Sequence, residues 1–379
     1  VEHRVIIAGG GTGGHLYPAL NLADALKRLA GDGIEVLLVG AQRGVEARVL
    51  PDKGLPYRLL PLEPLYRSRP WRNWRLLVSG VRCGRELHSL FNSYRPDLVV
   101  GTGGYAAGPV VAWGIAVGSP VAIQEQNSYP GLTTRWLAPY VNQLHLGYEE
   151  AMNYVWPGEE AEVYIHGNPI RWPEERPSPG LVRAEFGLGP GRVVLIVGGS
   201  QGAAPINQAL LAAVEAANAG ELPPLPPDVQ ILWSTGPAHH AGVTGQLGRM
   251  GDRVAVRTVP YIARMEWALS ITSIAISRAG ALALSELCAW GVPAILVPLP
   301  HAAADHQRRN SRALEADGAA IVLEEATLVE EPGRLWRTLV RLLNEPWILD
   351  SMAEASRERG NPRAADEIAA DLWRLMEDR

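Results

Sequence analysis

Residues 4–30, RVIIAGGGTGGHLYPALNLADALKRLA, pass from a β-branched apolar run through a glycine turn into apolar residues at helical spacing. No other feature restricts the fold as strongly. Residues 4–8 are predicted as a buried strand. The helix is predicted from Pro18, whose fixed φ suits a first turn. A strand joined to a helix by a tight turn is the unit of a parallel sheet covered by helices. The plan restarts at residue 192 with RVVLIVGGSQGAAPINQALLAAV. Between the two lie the strand candidates IEVLLVG, YRLLPL, DLVVGTG, SPVAIQEQ and NQLHLG. After the second come VQILWST, RVAVRTV, SIAIS, PAILVPL and AAIVL, then an amphipathic helical tail from about Leu335. A proline-rich break, GNPIRWPEERPSPG, divides the series at residues 167–180. The expected fold is α/β, with two doubly wound Rossmann-like domains, residues 1–167 and 168–379, facing each other across a cleft.

The 379 residues suit two domains. A net charge of −5 argues against a general nucleic-acid surface. No run of 18 apolar residues occurs, so no membrane span is expected. The chain enters a strand at once, so no signal peptide is expected. The two cysteines, Cys83 and Cys288, fall in predicted helices and read as reduced core residues of a cytosolic protein.

The glycines carry the first functional signal. Glycine lets a ligand approach the backbone, and a helix start offers free N–H groups and partial positive charge. The combination is an anion site. Gly9, Gly11 and Gly14 also match G-x-G-x-x-G, but a dinucleotide site wants an acid at the end of the second strand. That strand carries Glu35 at its start and ends Gly40-Ala41-Gln42. The redox reading lacks its confirming feature.

Three more turns repeat the logic. GTGGYAAGP (residues 101–109) follows DLVV, and two adjacent anion sites suit one pyrophosphate. GGSQGA (198–203) offers Ser200 and Gln201 as donors to phosphate or sugar oxygens. AGAL (279–282) opens a helix on which Glu286 can accept from a ribose diol. The loop HAAADHQRRN (301–310) brings Gln307 toward sugar hydroxyls. Its His301, Asp305 and His306 give weak support for a metal, and none is expected. His239-His240 reads as a solvated loop pair.

Taken in order, GGGTGGHLYPAL, GTGGYAAGP, QEQN, GNPIR, GGSQGA, SRAGALALSE and DHQRRN resemble the MurG family of glycosyltransferases, from Val5 to about Ala370. The resemblance implies a GT-B fold. It implies inverting, metal-independent transfer of GlcNAc from UDP-GlcNAc to undecaprenyl-pyrophosphoryl-MurNAc-pentapeptide (lipid I), giving lipid II. No cofactor is implied. The implied setting is peripheral, at the cytoplasmic face of the cell membrane, with other cell-wall synthesis proteins as candidate partners. The last helix is expected to pack back on the N-terminal domain.

By resemblance, Gly11, Gly14, His15, Gly103, Gly104 and Tyr105 hold the acceptor pyrophosphate. Thr12, Gly13, Gly14, Asn127, Arg171, Ser200, Gln201, Ile262, Ala281, Leu282, Glu286 and Gln307 meet the donor. Ile262 presents its backbone to uracil, and Glu286 binds the ribose. Four positions depart from the family pattern: Gln124 stands where His is usual, Thr134 where Asn is common, Ala283 where Thr is frequent and His306 where Gln is frequent.

The chemistry requires a base for the acceptor hydroxyl, and imidazole titrates near neutrality. His15 is the first candidate and Glu125 its rival. A helix predicted from Pro70 carries Trp71, Trp74, Val78 and Val81 on one stripe, flanked by arginines. Trp71, Arg72, Trp74 and Arg75 are the expected contacts with an anionic membrane. A UDP-GlcNAc 2-epimerase, a dinucleotide oxidoreductase and a non-catalytic sugar-nucleotide binder are the alternatives.

Overall fold

The computed structural model describes residues 2–62, 74–250 and 254–378. Its chain forms two compact units, Val1–Arg171 with Arg363–Arg379, and Trp172–Pro362.

The first unit is built on seven parallel strands: β1 (His3–Ala8), β2 (Ile34–Ala41), β3 (Tyr57–Leu60), β4 (Leu98–Gly101), β5 (Val121–Glu125), β6 (Gln143–Leu146) and β7 (Glu162–Tyr164). Their order is β3-β2-β1-β4-β5-β6-β7. The helices between them are α1 (Gly13–Ala30), α2 (Glu46–Val49), α3 (Trp74–Tyr94), α4 (Gly104–Ala116) and α5 (Leu132–Leu137). β1 and β4 pair side by side, Val5 with Leu98 through Ala8 with Gly101, while β2 flanks β1 on the other side. The strand order therefore reverses between β1 and β4. β7 lies outside the predicted strands, because three residues with Glu at the start carry no apolar periodicity.

The predicted start of α1 is corrected. The helix begins at Gly13, and Pro18 lies inside it as the sixth residue. Proline's φ is helical, and its costs here are the missing bond to the carbonyl four residues back and the crowding of its ring against that carbonyl.

The second unit has six parallel strands, β8 (Arg192–Val197), β9 (Val229–Ser234), β10 (Val256–Val259), β11 (Thr272–Ser277), β12 (Ala294–Leu296) and β13 (Ala320–Val322). Their order is β10-β9-β8-β11-β12-β13. The helices are α6 (Pro179–Phe186), α7 (Ala204–Ala219), α8 (His240–Met250), α9 (Met265–Ser270), α10 (Ala281–Trp290), α11 (His306–Ala316), α12 (Glu325–Glu330), α13 (Arg334–Asn344) and α14 (Pro346–Arg359). Here the reversal lies between β8 and β11. The central strands β8, β9, β11 and β12 are near-continuously buried, as a sheet covered on both faces requires, while the edge strand β10 is not. His240 opens α8 and its Nδ1 lies 3.3 Å from Thr235 Oγ1, so this residue is part of an element rather than a solvated loop.

The chain then returns to the first unit as α15 (Ala364–Glu377). Ala365, Ile368, Ala369, Leu372 and Met376 recur at helical spacing and share a core with Leu16, Leu22 and Leu26 of α1. A polar seam extends this packing. Gln143 Nε2 donates to the Asp371 carbonyl at 3.2 Å and to Glu162 at 2.9 Å. His166 Nε2 donates to Asp371 Oδ2 at 2.6 Å, and Arg374 donates to Asp371 Oδ1 at 2.6 Å. His145, His166 and Asp371 are the one group among the described residues whose donor atoms gather within metal-ligand reach, 4.8 Å. Both Asp371 oxygens are taken by these pairings.

Candidate active site

In a doubly wound sheet the loops leaving two strands on either side of the reversal diverge and open a crevice. In the first unit those loops are the first two glycine turns. They touch through their backbones. A Cβ on Gly104 would lie 2.0 Å from the Gly10 carbonyl oxygen, and Gly104 sits at φ +76°. Gly103, at φ +93°, would place a Cβ 2.8 Å from His15 Nδ1. Only glycine fits where one turn crosses the other.

His15 is half-buried at this crossing, and its protonation pattern follows from its neighbours. Gln126 Nε2 faces three oxygens: Thr102 O at 2.8 Å, Gln124 O at 3.0 Å and Gln124 Oε1 at 2.6 Å. An amide nitrogen must donate to these, so Gln126 turns its Oε1 to His15 Nδ1, at 2.8 Å. Nδ1 also lies 3.1 Å from the Thr102 carbonyl. Both partners are acceptors. Nδ1 therefore carries a proton, and in the neutral ring the lone pair lies on Nε2. Thr102 Oγ1 donates to the His15 carbonyl at 2.8 Å and pins the backbone.

Gln124, the departure from the usual His, is buried within the same chain of bonds. It donates to Asn168 Oδ1 at 3.1 Å, and Asn168 donates back to the Gln126 carbonyl at 3.0 Å. Glutamine thus supplies an acceptor to Gln126 and a donor to Asn168. Thr134, the second departure, donates to Glu125 Oε2 at 2.6 Å.

Glu125 is buried, and both of its oxygens are occupied. Oε1 accepts from the Asn127 backbone and side chain, each at 3.1 Å. Oε2 accepts from Gly131 N at 2.9 Å as well as from Thr134. This carboxyl organises the loop from 126 to 134. Tyr105 lies over Gly11, where a Cβ would come within 2.6 Å of its ring. Thr12 caps α1 through its backbone only, and α1 and α4 have no acid in their first turns. Their first N–H groups have no intrahelical partner. Asn127 and Arg171 also belong to this unit, Arg171 exposed at the end of its first segment.

In the second unit the loops at the reversal carry Ser200 and Gln201, both exposed at the tip of the turn before α7. The turn packs on the end of β9: a Cβ on Gly202 would lie 2.1 Å from the Thr235 carbonyl oxygen. α10 starts after Gly280 with no side-chain cap and no acid in its first turn. Ala281 and Leu282 thus expose uncapped N–H groups. Glu286 stands one turn further on. The residue is only partly buried, but its carboxyl is packed among protein atoms, and that burial, with Glu266 adding to it, pushes its pKa up to about 7. Ile262 is buried in the loop after β10. Gln307 Oε1 accepts from Ala279 N at 3.2 Å and Leu299 N at 2.9 Å, tying the α10 turn to the loop after β12. Its amide nitrogen makes no such tie. In that loop His301, Ala304 and Asp305 have left-handed backbone (φ +51° to +61°), strain that persists only where surroundings enforce it.

Four residues escape the sequence reading as site residues. Gln126 orients His15, and Asn168 closes its network. Glu46 lies under the first glycine turn. Arg278 is buried beneath AGAL, donating to the Val297 and Pro298 carbonyls at 3.1 and 3.2 Å and pairing with Glu325. Gln126, Asn168 and Arg278 fall within the runs QEQN, GNPIR and SRAGALALSE, and no run quoted above contains Glu46. Trp71 and Arg72 lie outside the described residues. Trp74 and Arg75 open α3, with side chains outside the description.

Residues 5–146 match the glycosyltransferase family 28 N-terminal domain, and residues 193–368 match its C-terminal domain. A UDP-N-acetylglucosamine–N-acetylmuramyl-(pentapeptide) pyrophosphoryl-undecaprenol N-acetylglucosamine transferase of Salinibacter ruber is 38% identical over 375 residues, covering 99% of this chain and 97% of its own. The protein of that description from Moorella thermoacetica is 38% identical over 379 residues, covering 99% of each chain. The chain belongs to the MurG family of glycosyltransferases. The crystal structure of Acinetobacter baumannii MurG superposes with a TM-score of 0.75 at 26% identity, covering 98% of this chain and 99% of that one. Two Rossmann-like α/β units are the GT-B architecture. A structure titled a UDP-N-acetylglucosamine 2-epimerase, from Listeria monocytogenes, shares the fold alone, at 14% identity and TM-score 0.65, covering 100% of this chain and 98% of that one.

Proposed function

We infer that this chain is an inverting glycosyltransferase that moves GlcNAc from UDP-GlcNAc to lipid I and yields lipid II. The relatives that carry that activity in their names match end to end. The observation that carries the mechanism is His15, whose Nδ1 faces two acceptors at the crossing of two uncapped glycine turns. In this reading Gly14, Gly103, Gly104 and Tyr105 receive the acceptor pyrophosphate. Nε2 of His15 takes the proton of the acceptor hydroxyl as its oxygen attacks the anomeric carbon. The bond from that carbon to UDP breaks on the opposite face, and the configuration inverts. The departing diphosphate is met by the N–H groups that begin α7 and α10. Glu286 accepts from the ribose diol, Ile262 meets uracil, and the Gln307 amide donates to the sugar. Glu125, with both oxygens filled, holds the loop that carries Asn127.

Peripheral association with an anionic membrane completes the reading. No helix among the described residues is long and apolar enough to cross a membrane. An apolar pocket of about 350 Å³ between α3 and α4, lined by Leu62, Cys83, Leu87, Ala112 and Trp113, supports a lipid-facing side on this unit. Val81 and Val117 are exposed beside it. Replacing Trp71, Arg72, Trp74 and Arg75 should abolish sedimentation with anionic vesicles while activity on a soluble acceptor persists.

The deciding experiment measures UDP release with and without a short-chain lipid I analogue. Release should require the analogue. Conversion of UDP-GlcNAc alone would establish the epimerase instead, and binding without turnover would establish a non-catalytic binder.

A further inference from the structure

The first glycine turn already holds an anionic group of its own. Glu46 opens α2, five residues past the end of β2, and its side chain folds back beneath the turn, fully buried. Its two oxygens accept the Gly11 N–H at 2.9 and 3.1 Å, and Oε1 also accepts the Ala41 N–H at 2.8 Å. Glycines clear the space for it. A Cβ on Gly10 would lie 2.3 Å from Oε1, one on Gly40 2.4 Å from Cγ, and one on Gly44 2.1 Å from Oε1. Gly40 and Gly44 belong to the end of β2 and its loop, so their lack of side chains serves Glu46.

In a dinucleotide site the acid near the end of the second strand faces outward to a ribose, and the first turn receives a pyrophosphate. Here the acid faces inward and takes a turn N–H itself. We propose that Glu46 is a positioning residue for the acceptor. It clamps Gly11 to the end of β2, fixes the turn from which α1 and His15 start, and removes the Gly11 N–H from the set that meets pyrophosphate. The pyrophosphate is then left to the N–H groups that begin α1 and α4. The proposal rests on the assignment of the acceptor to the first unit.

The test uses Glu46→Ala, which deletes the carboxyl, and Gly44→Ala, which keeps it but fills its space. Initial rates are measured with the short-chain lipid I analogue and UDP-GlcNAc varied in turn. Hydrogen bonds to a charged group are each worth about tenfold or more. The acceptor KM should rise at least about tenfold in both variants, with donor KM within about twofold. Added formate should lower the acceptor KM of Glu46→Ala, whose cavity admits it, and not that of Gly44→Ala. Gly104→Ala, which strikes the Gly10 carbonyl, is the reference for damage to the acceptor site. If it raises acceptor KM while folded Glu46→Ala does not, Glu46 has no such role. If all three raise donor KM instead, the assignment of the acceptor to this unit falls. Should Glu46→Ala not fold, Gly44→Ala decides: an unchanged acceptor KM overturns the proposal.

Discussion

His15 depends on a glutamine 111 residues away for the state of its ring. His15→Ala should lower kcat by about 10²–10⁴, the usual worth of a general base, with donor affinity intact. Rates at saturating acceptor test this, and near-normal kcat would remove His15 from the role. Gln126→Leu removes one of the two Nδ1 acceptors and should lower kcat while leaving donor KM unchanged. Glu286 carries a second prediction. A ribose diol needs the charged carboxylate as acceptor, and burial raises this group to about 7. Donor affinity should therefore strengthen as pH rises from about 6 to about 8, as protons leave Glu286. Calorimetric titration with UDP-GlcNAc should show that slope, and Glu286→Ala should abolish it while weakening binding roughly 10–150-fold.

Among the elements, α10 offers the cleanest test, because a donor can be removed without disturbing the helix. Ala281 is the first helical residue, where proline is well tolerated. Gly280 before it has φ −69° and ψ 137°, the extended backbone that a following proline prefers. On the proposed assignment of the donor diphosphate to the start of α10, Ala281→Pro should leave the melting temperature unchanged and raise donor KM about tenfold, because it removes one N–H there. An unchanged donor KM would show that this N–H does not meet the donor. The elements themselves were largely legible. β1, β2, β4, β5, β8, β9 and β11 are dense apolar runs beside glycine turns, and all are strands. β7 was not legible, since its three residues gain strand geometry only by pairing with β6. The start of α1 was misplaced because glycines at 13 and 14 have low helix propensity, yet the turn leads the chain into the helix there.

For the whole molecule, the seam under α15 predicts acid sensitivity. His145 is fully buried, and desolvation, with His166 adding to it, lowers its pKa to about 3. Gln143 and Tyr164 border the ring, and Asp371 and Glu367 of α15 pair with the neighbouring His166. The unfolded chain takes up a proton at His145 below about 6.5, and the folded chain does not. Stability due to this group is complete above that pH and falls by about 1.4 kcal/mol per unit as pH drops from about 6.5 toward 3. Denaturant melts across that range should show the loss, and His145→Gln should flatten it. An identical pH slope in the variant would refute the assignment. Family, fold class and transferase chemistry were legible in the order of strands, glycine turns and polar motifs. Those features arise between chain neighbours: β-branched residues extend, glycines turn, and apolar residues at helical spacing make a face. Tertiary structure alone decided which N–H Glu46 takes, 35 residues from its own position, and which proton His15 carries. It also decided that Glu125 is filled by donors from Asn127, Gly131 and Thr134. A hydrogen bond is set by distance and direction in space, and spacing along a chain does not specify either until the sheet has brought its strand ends together.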